Sequence, residues 1–116
     1  MKFLILAYGS ENDWKALDPD EQRALLEQDD VLRDRGSLVA AVEPTVTTVR
    51  GWDGVSRTQV GPVVALPVPL AGFGVIEAED LAEAVRLVAD TPCARAKGAV
   101  EIRPILQMNA GAAVVA

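Results

Sequence analysis

The sequence predicts an α+β domain in which one antiparallel sheet carries two helices on a single face. Three observations lead there. The predicted elements run strand, helix, strand, hairpin, strand, helix, strand. Residues 3–7, Phe-Leu-Ile-Leu-Ala, are apolar on both faces of a strand, the pattern of a central strand covered on both sides. Residues 58–76 contain no charged side chain, although 24% of the chain is charged.

That uncharged stretch is long enough to suggest a membrane span. Pro62, Pro67 and Pro69 remove backbone donors, and Gly61, Gly72 and Gly74 loosen the chain, so a continuous helix through it is excluded. A turn, an irregular apolar loop and a strand are expected instead.

The chain has 116 residues, which suits one domain with a single core. We expect that domain over residues 1–107, followed by a tail at 108–116. Eleven basic residues stand against 17 acidic ones, a net charge of −6, and the basic residues are scattered. A phosphate-binding surface needs clustered Lys and Arg, so no nucleic-acid partner is expected. The first apolar run is too short for a signal peptide, and no membrane association is expected; the predicted compartment is the cytoplasm. With one cysteine, Cys93, and no histidine, the chain has no disulfide framework, no Cys/His zinc site and no histidine base. No metal or cofactor is expected.

After the first strand, at 2–8, a polar loop carries Trp14. Asp18, Pro19 and Glu21 form a helix start signal, and the helix is expected to run to about residue 35, with Gly36 as a left-handed stop. Its apolar face comprises Ala24, Leu25, Val31 and Leu32, with Gln28 near the middle. Gln28 lies either on a half-exposed rim or in a cavity between helix and sheet. Three β-prone runs follow at 38–43, 45–50 and 55–59, the last two joined by Gly51-Trp52-Asp53-Gly54, whose Asp-Gly pair signals a hairpin. Beyond the proline-rich loop a strand is expected at 72–77. The second helix is expected at 79–90, with Leu81, Ala84, Val85 and Val88 at core spacing and Glu83/Arg86 as an exposed pair. Thr91-Pro92 ends it, and a last strand spans 99–105. Two helices cover one sheet face only, so the other face predicts a homodimer packed sheet to sheet.

Several segments, in order, resemble the YCII-related family, also called the DGPF-domain family. They are Met1-Lys-Phe-Leu-Ile-Leu-Ala-Tyr-Gly with Trp14, Ala41-Val-Glu-Pro with Thr47-Thr-Val-Arg, Gly61-Pro62, Ala71-Gly-Phe-Gly-Val-Ile-Glu-Ala, Thr91-Pro with Ala94-Arg, and Val100-Glu-Ile-Arg-Pro-Ile. The resemblance implies a ferredoxin-like sheet, a dimeric α+β barrel with sheets back to back, and a cleft in each subunit between helices and sheet. Relatives on this fold include lactone isomerases, dehydrochlorinases, monooxygenases and polyketide cyclases, among which fold alone does not choose. The chain departs from the family at its signature. Asp-Gly-Pro-Phe is replaced by Val60-Gly61-Pro62-Val63, and the usual charged segment by Val64-Ala-Leu-Pro-Val-Pro-Leu. A histidine–aspartate pair, attributed to some members, is impossible in a chain without histidine.

The candidate catalytic groups are Tyr8 and Asp29. Tyr8, at a strand end, is either a hydroxyl donor in a cleft or an anchored edge residue. Asp29 and Asp30 flank the Gln28 face; a carboxylate in an apolar cleft has a raised pKa suited to proton transfer, and at most one of the two faces inward. A solvated helix face is the favoured reading of both. The candidate substrate-binding residues are Trp14, Gln28, Val63, Leu66, Phe73 and Arg103. Arg103 is either a clamp for a substrate anion or part of an ion-pair ladder with Glu101 and Glu77. Phe73 lies between two glycines too close together for a phosphate cradle and is expected in the core. Trp52, at the hairpin tip, is a candidate subunit contact. Cys93, expected at a helix C-terminus, is the wrong end for a thiolate.

The expected function is binding of an apolar small molecule, aromatic or polyketide-like, with cofactor-independent isomerisation or cyclisation. Positioning and desolvation would supply the catalysis. The alternative is a non-catalytic dimeric interaction or accessory protein that has lost the family's site. The path of residues 63–70 distinguishes them: lining a cavity with Tyr8 and Gln28, or presented to another chain.

Overall fold

Strand β1 (Lys2–Tyr8) is the axis of a four-stranded antiparallel sheet of order β2-β5-β1-β6. The computed structural model describes residues 1–108, so the expected tail lies outside the described residues from residue 109 onward. β5 (Leu70–Glu77) flanks β1 on one side and β6 (Ala99–Pro104) on the other, while β2 (Gly36–Ala41) pairs with β5. Helix α2 (Pro19–Asp34) links β1 to β2, and α3 (Leu81–Val88) links β5 to β6. This is the ferredoxin-like α+β arrangement that the sequence predicts.

Alternation along β1 places Phe3 and Ile5 under the helices. Both are buried, with Ile76 of β5 beside them and Leu32, Ala84, Leu87 and Val88 above. Phe3 and Ile76 are fully enclosed, each stabilising the fold by about 1.5–3 kcal/mol through apolar burial. Val100 and Ile102 of β6 pack against this core. On the opposite face Leu4, Leu6, Phe73 and Val75 are only partly buried, so β1 is covered by helices on one side rather than two.

The first helix starts at its expected cap: the Asp18 side chain accepts from the Asp20 N–H, and Pro19 opens α2. A cap not singled out from sequence, Asp80, accepts from the Glu83 N–H at 2.8 Å and opens α3. Several expectations fail in detail. The buried positions of α3 are Ala84, Leu87 and Val88, whereas Leu81 and Val85 are exposed, because the helix starts later and turns its 84/87/88 stripe to the sheet. Glu83 pairs with Arg35, at 3.0 Å, rather than with Arg86. Val31 and Ala24 of α2 face solvent. Gly36 has no left-handed φ and instead opens β2 directly; a Cβ there would lie 2.8 Å from Val39 Cγ2 and 3.3 Å from the Arg33 carbonyl. The loop around Trp14 contains a short helix, α1 (Glu11–Lys15), capped by the Ser10 hydroxyl. The turn after α3 holds another, α4 (Pro92–Arg95).

Strands β3 (Thr47–Arg50) and β4 (Arg57–Val60) form a separate two-stranded ribbon. Asp53 and Gly54 at its tip are both left-handed, φ 58° and 73°, and the Val55 N–H closes the turn onto the Trp52 carbonyl at 3.1 Å. The ribbon projects from the body as an arm. It stretches the molecule to 52 × 33 × 20 Å with a radius of gyration of 16.1 Å, against about 13 Å for a compact chain near this length. Register puts Thr47, Val49, Thr58 and Val60 on one face of the arm and Thr48, Arg50, Arg57 and Gln59 on the other. Val60 is 91% exposed and Trp52, with Arg50 stacked 5.9 Å from its ring centre, is 70% exposed.

Candidate functional site

Beneath α2 the sheet surface is made of small residues. Ala7 of β1 sits opposite Gly72 of β5, which is also opposite Ala41 of β2, and Gly74 fills the next position between Ile5 and Val39. With so little side chain on the floor, α2 and α4 roof an inner cavity of about 210 Å³. A Cβ on Gly72 would lie 2.8 Å from the Ala40 carbonyl, so the floor cannot be raised at that position without displacing backbone.

Asp29, Arg33, Thr91 and Cys93 supply the polar part of the lining, against walls that include Ile5, Leu32 and Ile76. Asp29 shares a helix face with Leu25 and Leu32, at i+4 and i+7 from Leu25, which turns its carboxyl inward. Its side chain is 22% exposed, whereas that of Asp30 is 75% exposed. Burial pushes the Asp29 carboxyl above its ordinary pKa; the Arg33 guanidinium, 3.1 Å away, pulls it back and the Asp30 charge adds to the rise. The Cys93 thiol is also raised, first by burial and then by the Asp29 charge. Thr91 is buried and spends its hydroxyl on the Val88 carbonyl at 2.6 Å. A carboxyl that retains its proton to higher pH, beside a guanidinium, can exchange a proton with a bound molecule and offset charge on its oxygen. Among the described residues no group of three His, Cys, Asp or Glu side chains is placed to hold a metal ion.

A second cavity, about 360 Å³, adjoins the first and shares Ala71, Pro92 and Cys93 with it. Trp14, Leu26 and Ala96 form its other apolar walls.

The structure brings only some of the candidate residues to this cleft. Asp29 lines the inner cavity and Trp14 the outer one. Phe73 belongs to the inner wall through its strand, but its register partners Leu6 and Ala40 put its ring on the opposite face, outside the core. Gln28 does not enter the cavity: its Nε2 donates to the Leu87 carbonyl at 3.1 Å and ties α2 to α3. Tyr8 and Arg103 line neither cavity. The Tyr8 hydroxyl donates to Glu101 Oε1 at 2.7 Å, and Arg103 approaches the same oxygen at 3.5 Å. That hydrogen bond, more than desolvation, raises the Tyr8 pKa. Glu77 pairs with Lys2 across β1 and β5 rather than with this cluster. Val63, 65% exposed, and Leu66 lie on the loop after the arm and line neither cavity. Arg33 is not singled out by the sequence, and Cys93, expected at a helix C-terminus, lies instead in the first turn of α4. The i+4 spacing of Asp29 and Arg33 was a usable signal for the first, whereas nothing local brings Cys93 to α2.

A solved structure of similar fold is the 5-chloro-2-hydroxyhydroquinone dehydrochlorinase TftG of Burkholderia phenoliruptrix AC1100, in complex with 2,5-dihydroxybenzoquinone. It is 18% identical, with a TM-score of 0.52 over 90% of this chain and 93% of that one. No curated protein matches the chain by sequence. The YCII-related domain model matches residues 1–109, which is nearly the whole length, and so the chain belongs to the YCII-related domain family.

Proposed function

We propose that the chain binds a small aromatic or polyketide-like molecule in the cleft under α2 and moves a proton on it without a cofactor, as in isomerisation or cyclisation. One observation carries the reading: the Asp29 carboxyl, raised by burial, stands beside Arg33 in the wall of a largely apolar cavity. The volume suits one substituted ring, since a cavity of about 150 Å³ accepts benzene. Membership of the family supports small-molecule binding, and so does the quinone held by the dehydrochlorinase of similar fold. In the proposed step the Asp29 carboxylate takes a proton from an acidic carbon, Arg33 offsets the charge left on the neighbouring oxygen, and the proton returns to a different carbon. No electron is gained or lost overall.

The test is proton exchange followed by NMR in deuterium oxide, using 2,5-dihydroxybenzoquinone and related hydroxyaromatics. Exchange at a ring carbon should be catalysed, and Asp29→Asn should slow it about 10²–10⁴-fold while the ligand still binds. Failure of every such compound to raise the melting temperature refutes the reading.

The second reading, an interaction surface, is favoured by a separate observation: the arm and the 61–69 loop expose Val49, Val60, Val63, Val64 and Leu66. We infer that these residues, with Leu4, Leu6, Phe73 and Val75 of the open sheet face, meet a second copy of the chain, giving a back-to-back homodimer. Tyr8, Arg103, Val63 and Leu66 then belong to the subunit contact rather than to the ligand. The two readings use different surfaces and are compatible. We assign the protein to the cytoplasm, in keeping with its single cysteine.

A further inference from the structure

We infer that the cleft takes a two-part ligand: a polar ring in the inner cavity and an apolar chain or second ring in the outer one, laid along Trp14 and Leu26. The inference rests on the small-molecule reading above and extends it to the class of ligand. The two cavities meet at the same three residues, Ala71, Pro92 and Cys93, all small or compact. Their chemistry differs. The inner one offers Asp29 and Arg33 to a hydroxyl or carbonyl. Apart from the shared Cys93 thiol and the Trp14 indole N–H, the outer one has two polar side chains, and both are already engaged: the Ser10 hydroxyl donates to Asp13 Oδ2 at 2.8 Å, and Glu11 pairs with Lys15 at 2.9 Å. What remains for a ligand is mainly the indole of Trp14 and the side chains of Leu26, Pro92 and Ala96, a lining that rewards apolar surface and offers few partners to a buried polar group. At about 360 Å³ the outer cavity is also larger than the inner, more than a substituent of one or two atoms needs. A single ring would leave it unfilled. The two dimensions therefore select an amphiphilic aromatic such as an alkyl- or aryl-substituted phenol or quinone.

A homologous series reads this directly: 2,5-dihydroxybenzoquinone without a chain and with 3-alkyl chains of two to eight carbons, titrated by calorimetry. Affinity should rise roughly fourfold for each methylene buried, then level off once the outer cavity is full. In a Trp52→Phe background, Trp14 is the single tryptophan, and its emission should shift to the blue as the chain lengthens. Leu26, on the exposed side of α2, can be changed without disturbing the core. Leu26→Glu should flatten the dependence on chain length, a ratio within one variant that does not depend on its affinity for the ring. Leu81→Glu, equally exposed but outside both cavities, should leave that dependence as it is. Binding of the ring with no gain from the chain overturns the inference and leaves the proposed function standing. So does a gain that persists in Leu26→Glu, because the chain then lies elsewhere. Absence of binding by every member overturns both readings together.

Discussion

The inner cavity and the β3–β4 arm place their apolar atoms oppositely. Under α2, small residues on the strands leave a hollow that Ile5, Leu32 and Ile76 enclose, and a side chain at Gly72 would meet the Ala40 carbonyl. Along the arm, β-branched residues line one face of a ribbon that forms its own two-stranded sheet apart from the main one, closed at its base where the Gly61 N–H meets the Val46 carbonyl at 2.8 Å. A hollow bordered by an ionisable group is suited to a small molecule; a solid apolar ridge is suited to a macromolecular surface. The chain carries both, and the difference teaches that apolar sequence alone does not mark a ligand site. Its most apolar stretch divides: the part before β5 lies outside the cleft, while Ala71, Gly72, Gly74 and Ile76 help to form it together with one turned-in aspartate.

The comparison breaks most visibly at the level of stability. Phe3→Ala, in the body, should cost about 3–5 kcal/mol in urea unfolding, while Val60→Ala on the arm should stay within about 0.5 kcal/mol when the monomer is measured. Equal costs would mean that the arm is part of the folding unit. Next in size is the pair Val49→Ser with Val60→Ser. Sedimentation should show the proposed dimer weakened at least about tenfold, and the dependence of melting temperature on concentration should move to correspondingly higher concentration.

A third effect is specific to the cavity and follows from sign. The folded-state pKa of Asp29 is raised, so the native protein holds more protons than the unfolded chain between the unfolded and folded pKa values. Stability therefore falls as pH rises through that window. Asp29→Asn should melt above the native protein at neutral pH, and the gap should narrow as the medium is acidified below the folded pKa. The smallest effect comes from Glu83, held below its usual range chiefly by the Glu79 N–H and then by Arg35. Its contribution is present above the unfolded pKa and lost as pH falls through the folded one. Glu83→Gln should lower the melting temperature slightly at neutral pH and not at all in acid.

Element order, sheet class and helix starts were legible because caps, prolines and alternating apolar residues act locally. Asp18-Pro19 and Asp53-Gly54 each do what their chemistry dictates within a few residues. The placement of the candidate residues was only half legible. Asp29 and Trp14 line the cleft, since one sits on the periodic face of α2 and the other is a large aromatic beside a strand end. Tyr8 and Arg103 lie outside it, because strand position does not say which sheet face a side chain takes until a neighbour fixes it. Gln28 also lies outside it, because its carbonyl partner comes from α3, far away in sequence. Cys93 escaped for the same reason in reverse: α4 is a single turn whose place beside α2 is set by tertiary packing.

Strand order carries a consequence for how the domain assembles. β1 lies at the centre, yet its two hydrogen-bonding neighbours are β5 and β6, near the far end of the domain. No local hairpin can shelter Phe3-Leu4-Ile5-Leu6: closing the pairing with β5 requires a loop of about half of the chain, and that with β6 a loop of most of it, which slows the search. On the ribosome this segment must wait, extended and sticky, at least until β5 has emerged. Folding is in that sense a single late event, and the apolar β1 is the part of the nascent chain for which a chaperone would have the longest use.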